Sequence, residues 1–139
     1  MNEPQVLLVE DDEIDAAAFR RGMKRHQLPN KLVIAEHGVE ALEILRGQHP
    51  SKSLRRPYLI FLDLNMPLMG GLEMLEEIRK DVDLDISTVF VLSTSDHHSD
   101  LLAAYKHHVA GYIVKSVSDT GAQIHDLLER YNELVLLPN

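Results

Sequence analysis

Short apolar runs in this chain end on residues that can do chemistry. The run at 6–9 stops at Glu10-Asp11, that at 58–62 at Asp63, that at 88–92 at Ser93-Thr94 and that at 111–114 at Lys115. If these runs are parallel strands of one open sheet, ligands bind beyond their carboxyl ends, and all these side chains meet on one rim. Crowded carboxylates repel, so they either hold protons or are neutralised by a cation. A hard divalent ion bound through oxygen fits, and Mg²⁺ typically takes one or two carboxylates plus phosphate oxygens and water. Taken singly, each signal is ordinary. An acidic run ahead of a helix commonly caps it, an Asp closing a strand commonly forms a turn, and a lysine at a strand end is usually solvated. Their arrival at one edge is what points to a site.

The elements that must carry these residues follow from periodicity. Fully apolar runs at 6–9, 32–35, 58–62, 88–92 and 111–114 have strand character. Between and after them, residues 14–26, 39–45, 72–79, 100–107 and 119–131 carry apolar residues at helical spacing. In the first helix Ile14, Ala17, Ala18 and Met23 form the expected stripe; in the last, Ile124, Leu127, Leu128 and Tyr131 do. Residues 47–57 form a polar loop with a small basic cluster, Lys52, Arg55 and Arg56. Strands apolar on both faces, alternating with helices, imply an α/β, doubly wound, five-stranded parallel sheet with helices on both faces.

Composition narrows the function. The 139 residues suit one domain, and 14 basic against 22 acidic residues give a net charge of −8. Such a charge repels phosphate backbones and argues against direct nucleic-acid binding. Cysteine is absent, which excludes disulfides and thiolate metal sites and fits a reducing, cytoplasmic setting. The apolar runs fall short of the roughly 18 residues that a membrane span needs. Eight histidines include the adjacent pairs His97-His98 and His107-His108, without zinc-ligand spacing, and are expected at the solvated surface.

Four motifs in order, Leu7-Leu8-Val9-Glu10-Asp11-Asp12, Leu62-Asp63-Leu64-Asn65-Met66-Pro67 running on to Gly70-Gly71, Val91-Leu92-Ser93-Thr94 and Gly111-Tyr112-Ile113-Val114-Lys115, resemble the receiver domain of two-component response regulators. The longer loop after the second helix and the run from His108 to Lys115 look most like single-domain regulators paired with phytochrome-type histidine kinases. This resemblance implies a sheet order 2-1-3-4-5 and a flavodoxin-like receiver fold. It implies Asp63 as phosphoacceptor, phosphorylated by a histidine kinase, a bacteriophytochrome being the type suggested. Asp11 would bind Mg²⁺ (or Mn²⁺) directly, Glu10 through water, with Asp63 and the backbone carbonyl of Asn65 as further ligands. Lys115 would hold a phosphoryl oxygen, Ser93 would hydrogen-bond the phosphoryl group, and Tyr112 would be the switch aromatic. Mg²⁺-dependent self-phosphorylation and dephosphorylation on Asp63 would be its chemistry, not turnover as an enzyme. A docking kinase would meet the first helix near Asp15, Ala16 and Phe19.

The chain departs from the family pattern in three places. Glu10 stands where Asp is commoner, lengthening the reach to a metal by one methylene. Ser93 replaces the usual Thr and keeps the hydroxyl. Ser116 follows Lys115 where the family usually has Pro in a cis bond, a geometry that costs a non-proline residue about 3 kcal/mol. Two other classes share parts of the pattern. A haloacid-dehalogenase-like phosphatase needs a second acid two residues after its nucleophile, where this chain has Asn65. A flavodoxin-like FMN-binding protein needs a hydroxyl- and amide-rich phosphate loop where this chain has four carboxylates, at residues 10–13.

Residues 1–131 then account for a receiver domain with no output domain, leaving 132–139 as an apolar tail. Leu134-Val135-Leu136-Leu137 would expose a patch of the kind that marks an interface. A homodimer through this tail is the expectation.

Overall fold

The computed structural model describes residues 3–64, 66, 68–115 and 120–138. Five strands, β1 (Gln5–Val9), β2 (Leu32–Ala35), β3 (Tyr58–Asp63), β4 (Thr88–Ser93) and β5 (Gly111–Val114), alternate with five helices. These are α1 (Glu13–Arg25), α2 (Gly38–Leu45), α3 (Gly71–Lys80), α4 (His98–Lys106) and α5 (Thr120–Leu134). All pairings in the sheet are parallel, and the order is β2-β1-β3-β4-β5, as expected.

Alternation along each strand divides the core in two. Val6, Leu8, Leu59 and Phe61 face the α1/α5 side, where they meet Phe19, Met23, Ile124 and Leu128. Leu7, Val9, Ile60 and Leu62 face the other layer, with Ala41, Leu42, Met74, Leu75 and Ile78. Phe61 lies at the centre of the first layer, its ring 5.6 Å from both Phe19 and Phe90. Burial on both faces explains why these strands are uninterrupted apolar runs.

The first helix differs from its expected stripe. Asp12 caps it, its side chain accepting from the N–H groups of Ile14 and Asp15. With the helix starting there, Ile14 projects from the first turn at 76% exposure, and the buried face consists of Phe19, Gly22 and Met23. Phe19 is therefore core, not part of a docking surface. The same seam brings Gly22 against Gly121, where a Cβ would meet the Gly121 Cα at 2.8 Å. Beyond it the Asn30 and Asn132 side-chain amides bond reciprocally at 3.0 and 3.1 Å. Two histidines are structural and not solvated: His37 caps α2, and His49 pairs with Glu40 at 3.1 Å, which with Lys52 folds the basic loop onto α2. The fifth helix runs to Leu134, so the boundary expected after Tyr131 falls inside it, and Leu137 packs back on the core.

At the start of α3 the chain passes close beneath the rim. Gly71 donates its N–H to the Leu64 carbonyl at 3.0 Å, and a Cβ there would lie 2.5 Å from the Asp63 carbonyl oxygen and 2.6 Å from the Leu64 Cα. Only backbone could yield, so Gly71→Ala should destabilise the fold by about 1–3 kcal/mol. Chemical denaturation measures this; a variant as stable as the parent would contradict the close approach.

Candidate functional site

Sheet order decides which strand ends are neighbours. Because β1 lies beside β3 with Val9 opposite Leu62, the next residues, Glu10 and Asp63, emerge side by side. Strand β5 is separated from β3 by β4, about 10 Å away at one strand spacing per step. A long side chain is needed to cross that gap, and Lys115 supplies it.

Its ammonium Nζ lies 2.9 Å from Glu10 Oε2, 3.4 Å from Asp15 Oδ2 and 3.8 Å from Asp63 Oδ2. Glu10 is buried at 4% exposure, and its other oxygen accepts the Asp12 N–H at 3.2 Å. The extra methylene that distinguishes Glu10 from an aspartate lengthens the side chain that meets Lys115. Asp11 is exposed beside them. One carboxylate oxygen from each of Glu10, Asp11 and Asp63 lies within 4.8 Å of the others. This donor set, all oxygen and anionic, fits a hard divalent cation.

Protonation at the rim follows from burial. Loss of solvent pushes Glu10 up to about 7, with the neighbouring Asp63 charge adding to the rise; Lys115 and the Asp12 N–H pull against it. Burial alone would depress Lys115, yet the hydrogen bond and charge of Glu10, with Asp63 and Asp15 behind it, shift it upward.

Ser93 closes the rim from β4. It is wholly buried, and its hydroxyl accepts the Ser95 N–H at 3.1 Å. The Tyr112 hydroxyl donates to the Ser95 carbonyl at 2.9 Å, and the Ser95 hydroxyl donates to Asp100 at 2.6 Å. Ser93 and Tyr112 thus share one partner, Ser95. Thr94, by contrast, is exposed.

Among the residues read from sequence, the structure brings Glu10, Asp11, Asp63 and Lys115 together, with Ser93 and Tyr112 linked behind them. Asn65 and Ser116, with the carbonyl ligand and the peptide geometry expected of them, lie outside the described residues. Of two further participants, Asp15 was read only as part of the helix surface that a kinase would meet, and Ser95 was not read as a site residue. An acid in the first turn of a helix reads as complementing the helix dipole, and a serine after Ser93-Thr94 reads as loop. A second group of possible metal-binding side chains, His125, Asp126 and Glu129, sits on α5, and these pair among themselves.

Comparisons with known proteins agree on one family. The model described as response regulator receiver domain matches residues 6–129. The chain is 36% identical to the response regulator Rcp1 of Synechocystis sp., over 99% of this chain and 95% of that protein. A crystal structure of the Mn²⁺-bound form of Rcp1 superposes with a TM-score of 0.85 at 34% identity, covering 98% of this chain and 99% of the other. The phosphorylated cyanobacterial phytochrome response regulator RcpA gives 0.83 at 32% identity, over 99% and 100% of the two chains.

The raised Glu10 has a measurable consequence in metal-free protein. A carboxyl that binds its proton more tightly folded than unfolded contributes stability at low pH, and that contribution is lost as pH rises from about 4.5 to about 7. Denaturation in chelator at pH 5 to 8 should show the parent losing stability relative to Glu10→Gln across this window. A constant difference between the two would contradict the shift.

Proposed function

Since the chain belongs to the response regulator receiver family, we propose that Asp63 is the residue through which it acts. The protein is a phosphoacceptor response regulator of two-component signal transduction. Supporting Asp63 is one observation above all: it lies 3.8 Å from the Lys115 ammonium and shares a 4.8 Å cluster with Glu10 and Asp11.

In this reading the Asp63 carboxylate attacks the phosphorus of a kinase phosphohistidine. An O–P bond forms as the N–P bond breaks, and the departing imidazole takes a proton from solvent. Phosphoryl transfer needs positioning and neutralisation more than covalent assistance. Glu10, Asp11 and Asp63, joined by the Asn65 carbonyl that the resemblance implies, would hold Mg²⁺. When bound, that ion supplies positive charge against the phosphoryl oxygens. Lys115 supplies the other positive charge, as a point donor to one phosphoryl oxygen. Ser93 donates its hydroxyl to another. Because Ser93 and Tyr112 both bond Ser95, a shift at the serine is passed through that residue to the aromatic ring.

The wider assignments are part of the same proposal. The partner is a histidine kinase, and the similarity to RcpA, a cyanobacterial phytochrome response regulator, favours one of the phytochrome type. No turnover follows, because Asn65 stands where a phosphatase carries its second acid. Four carboxylates at 10–13 likewise disfavour a flavin phosphate. No helix among the described residues is long and apolar enough to cross a membrane, and the acidic, cysteine-free composition suits a cytoplasmic protein that binds no nucleic acid.

A homodimer through the C-terminal tail completes the reading. Leu134, Val135 and Leu136 are exposed, Leu136 at 97%, although Leu137 is packed on the core. They border a groove of about 640 Å³ whose other wall includes Pro4, Arg55, Arg56 and Pro57. Extension of α5 to Leu134 already orders the base of the tail, which lowers the entropy cost of docking it. A two-fold arrangement would let each tail cover the other protomer.

Two experiments test these points. Incubated with Mg²⁺ and a small phosphodonor, the parent should acquire an acid-labile phosphoryl group and Asp63→Asn none; equal labelling would overturn the assignment. Light scattering should give a dimer for the full chain and a monomer after removal of residues 133–139. A full chain of monomer mass, or a truncated one that stays dimeric, would refute the tail interface.

A further inference from the structure

Lys115 is the cation that the phosphorylated state requires, and its ammonium does not sit closest to Asp63. It lies 2.9 Å from Glu10 and 3.4 Å from Asp15, against 3.8 Å from Asp63. A small cavity of about 50 Å³ lies on this side, lined by Glu10, Asp15, Phe19, Lys115 and Thr120 among others. The lysine is thus drawn toward Glu10 and the first turn of α1.

Of the carboxylates around it, Asp15 has no part in the family machinery. Asp63 would accept the phosphoryl group, and Glu10 and Asp11 would face the cation. The place of Asp15 is nevertheless fixed, because its N–H is bonded to the capping Asp12 side chain at 3.2 Å, in the turn directly after Asp11. That bond aims the start of α1 at the rim and leaves the Asp15 carboxylate within reach of Nζ.

We propose that Asp15 is a positioning residue that tethers Lys115 in the unphosphorylated protein and competes with the phosphoryl group for it. This rests on the reading of Asp63 as phosphoacceptor. Two carboxylates share the tether, and they respond differently when the rim is loaded. A divalent cation held by Glu10 would compete with Lys115 for its charge, and the hold of Glu10 on the lysine would weaken. Asp15 is then the remaining carboxylate that must release Nζ before Lys115 can reach a phosphoryl oxygen. The fold therefore opposes the active arrangement by one ion pair, and phosphorylation has to overcome it. Asp15 is half-exposed, with 52% of its side chain accessible. The opposition is consequently a small factor, enough to bias a switch and not to lock it.

Beryllofluoride, which occupies the phosphoryl position without a donor's chemistry, tests this directly. Affinity is measured by titration in saturating Mg²⁺ for the parent, Asp15→Asn, Asp15→Glu, Lys115→Ala and the Lys115→Ala/Asp15→Asn double variant. Asp15→Asn should bind about two- to fivefold more tightly than the parent, and Asp15→Glu, which keeps the charge, should stay closer to the parent. With Lys115 replaced, Asp15→Asn should change nothing, an outcome that a general effect on folding or on the cation would not give. Equal or weaker binding by Asp15→Asn, or an effect that persists without Lys115, overturns the tether. Failure of the parent itself to bind beryllofluoride in an Asp63-dependent way would instead overturn the phosphoacceptor reading.

Discussion

The charge balance around Lys115 is the constraint from which the rest of the rim follows. Glu10 is nearly removed from solvent and stands next to Asp63. Two carboxylates so placed cannot both ionise comfortably without a nearby cation. In the metal-free protein the options are a proton on Glu10 or the ammonium of Lys115, and the structure uses both tendencies at once. Glu10 is raised to about 7, while Lys115 is shifted upward and thus held charged. Either a divalent ion or a phosphoryl group disturbs this arrangement, because the first adds charge to the carboxylates and the second demands the lysine.

The sheet exists, from this viewpoint, to hold four strand ends at fixed spacing. Parallel pairing carries β1, β3, β4 and β5 to the same edge, and the crossover order sets Asp63 between Glu10 on one side and Ser93 on the other. Apolar layers pack on both faces of the sheet beneath the rim, with Phe61 stacked on Phe90 and tilted against Phe19. Gly71 brings α3 against the Asp63 carbonyl, so the end of β3 has little room to relax outward. If Asp63 is the nucleophile, as proposed, a position fixed in this way would lower the entropy cost of alignment with a donor.

Much of this was legible in the sequence because it depends on local pattern. Uninterrupted apolar runs marked the strands, and the residues closing them marked the rim. What escaped depended on where a helix begins. Ile14 counted as core when α1 was read from its apolar residues, yet the Asp12 cap sets the helix phase and turns Ile14 outward while Phe19 turns in. The same cap puts Asp15 beside Lys115, a contact between residues one hundred positions apart that no periodicity reveals. Helix five was read as ending at Tyr131 because the residues after it look like a new apolar segment, whereas its backbone bonds continue, Val135 donating to Tyr131. Histidines gave a similar lesson: His37 and His49 serve as a cap and a partner of Glu40, roles set by neighbours that sequence does not display.

Conformational coupling from this rim needs a device with two arrangements, and the hydrogen bonds around Ser95 link the residues that such a device would use. Ser93 is held by the Ser95 N–H, while the Ser95 carbonyl holds Tyr112 and its hydroxyl holds Asp100 at the start of α4. A phosphoryl group that recruits the Ser93 hydroxyl draws on the same residue that fixes the aromatic ring and the helix. The loss of a methyl at Ser93, relative to the threonine usual in the family, removes no bond from this relay, since its one contact with Ser95 runs through the hydroxyl. Ser95 is therefore the residue that connects the rim at Ser93 with Tyr112 and the start of α4. A ligand shifts such an equilibrium only through its different affinity for the two arrangements. On the proposed reading that difference would reside in the Lys115 ammonium, which has to leave or share Glu10 and Asp15, and in the Ser93 hydroxyl, whose O–H can donate while its oxygen keeps the Ser95 N–H.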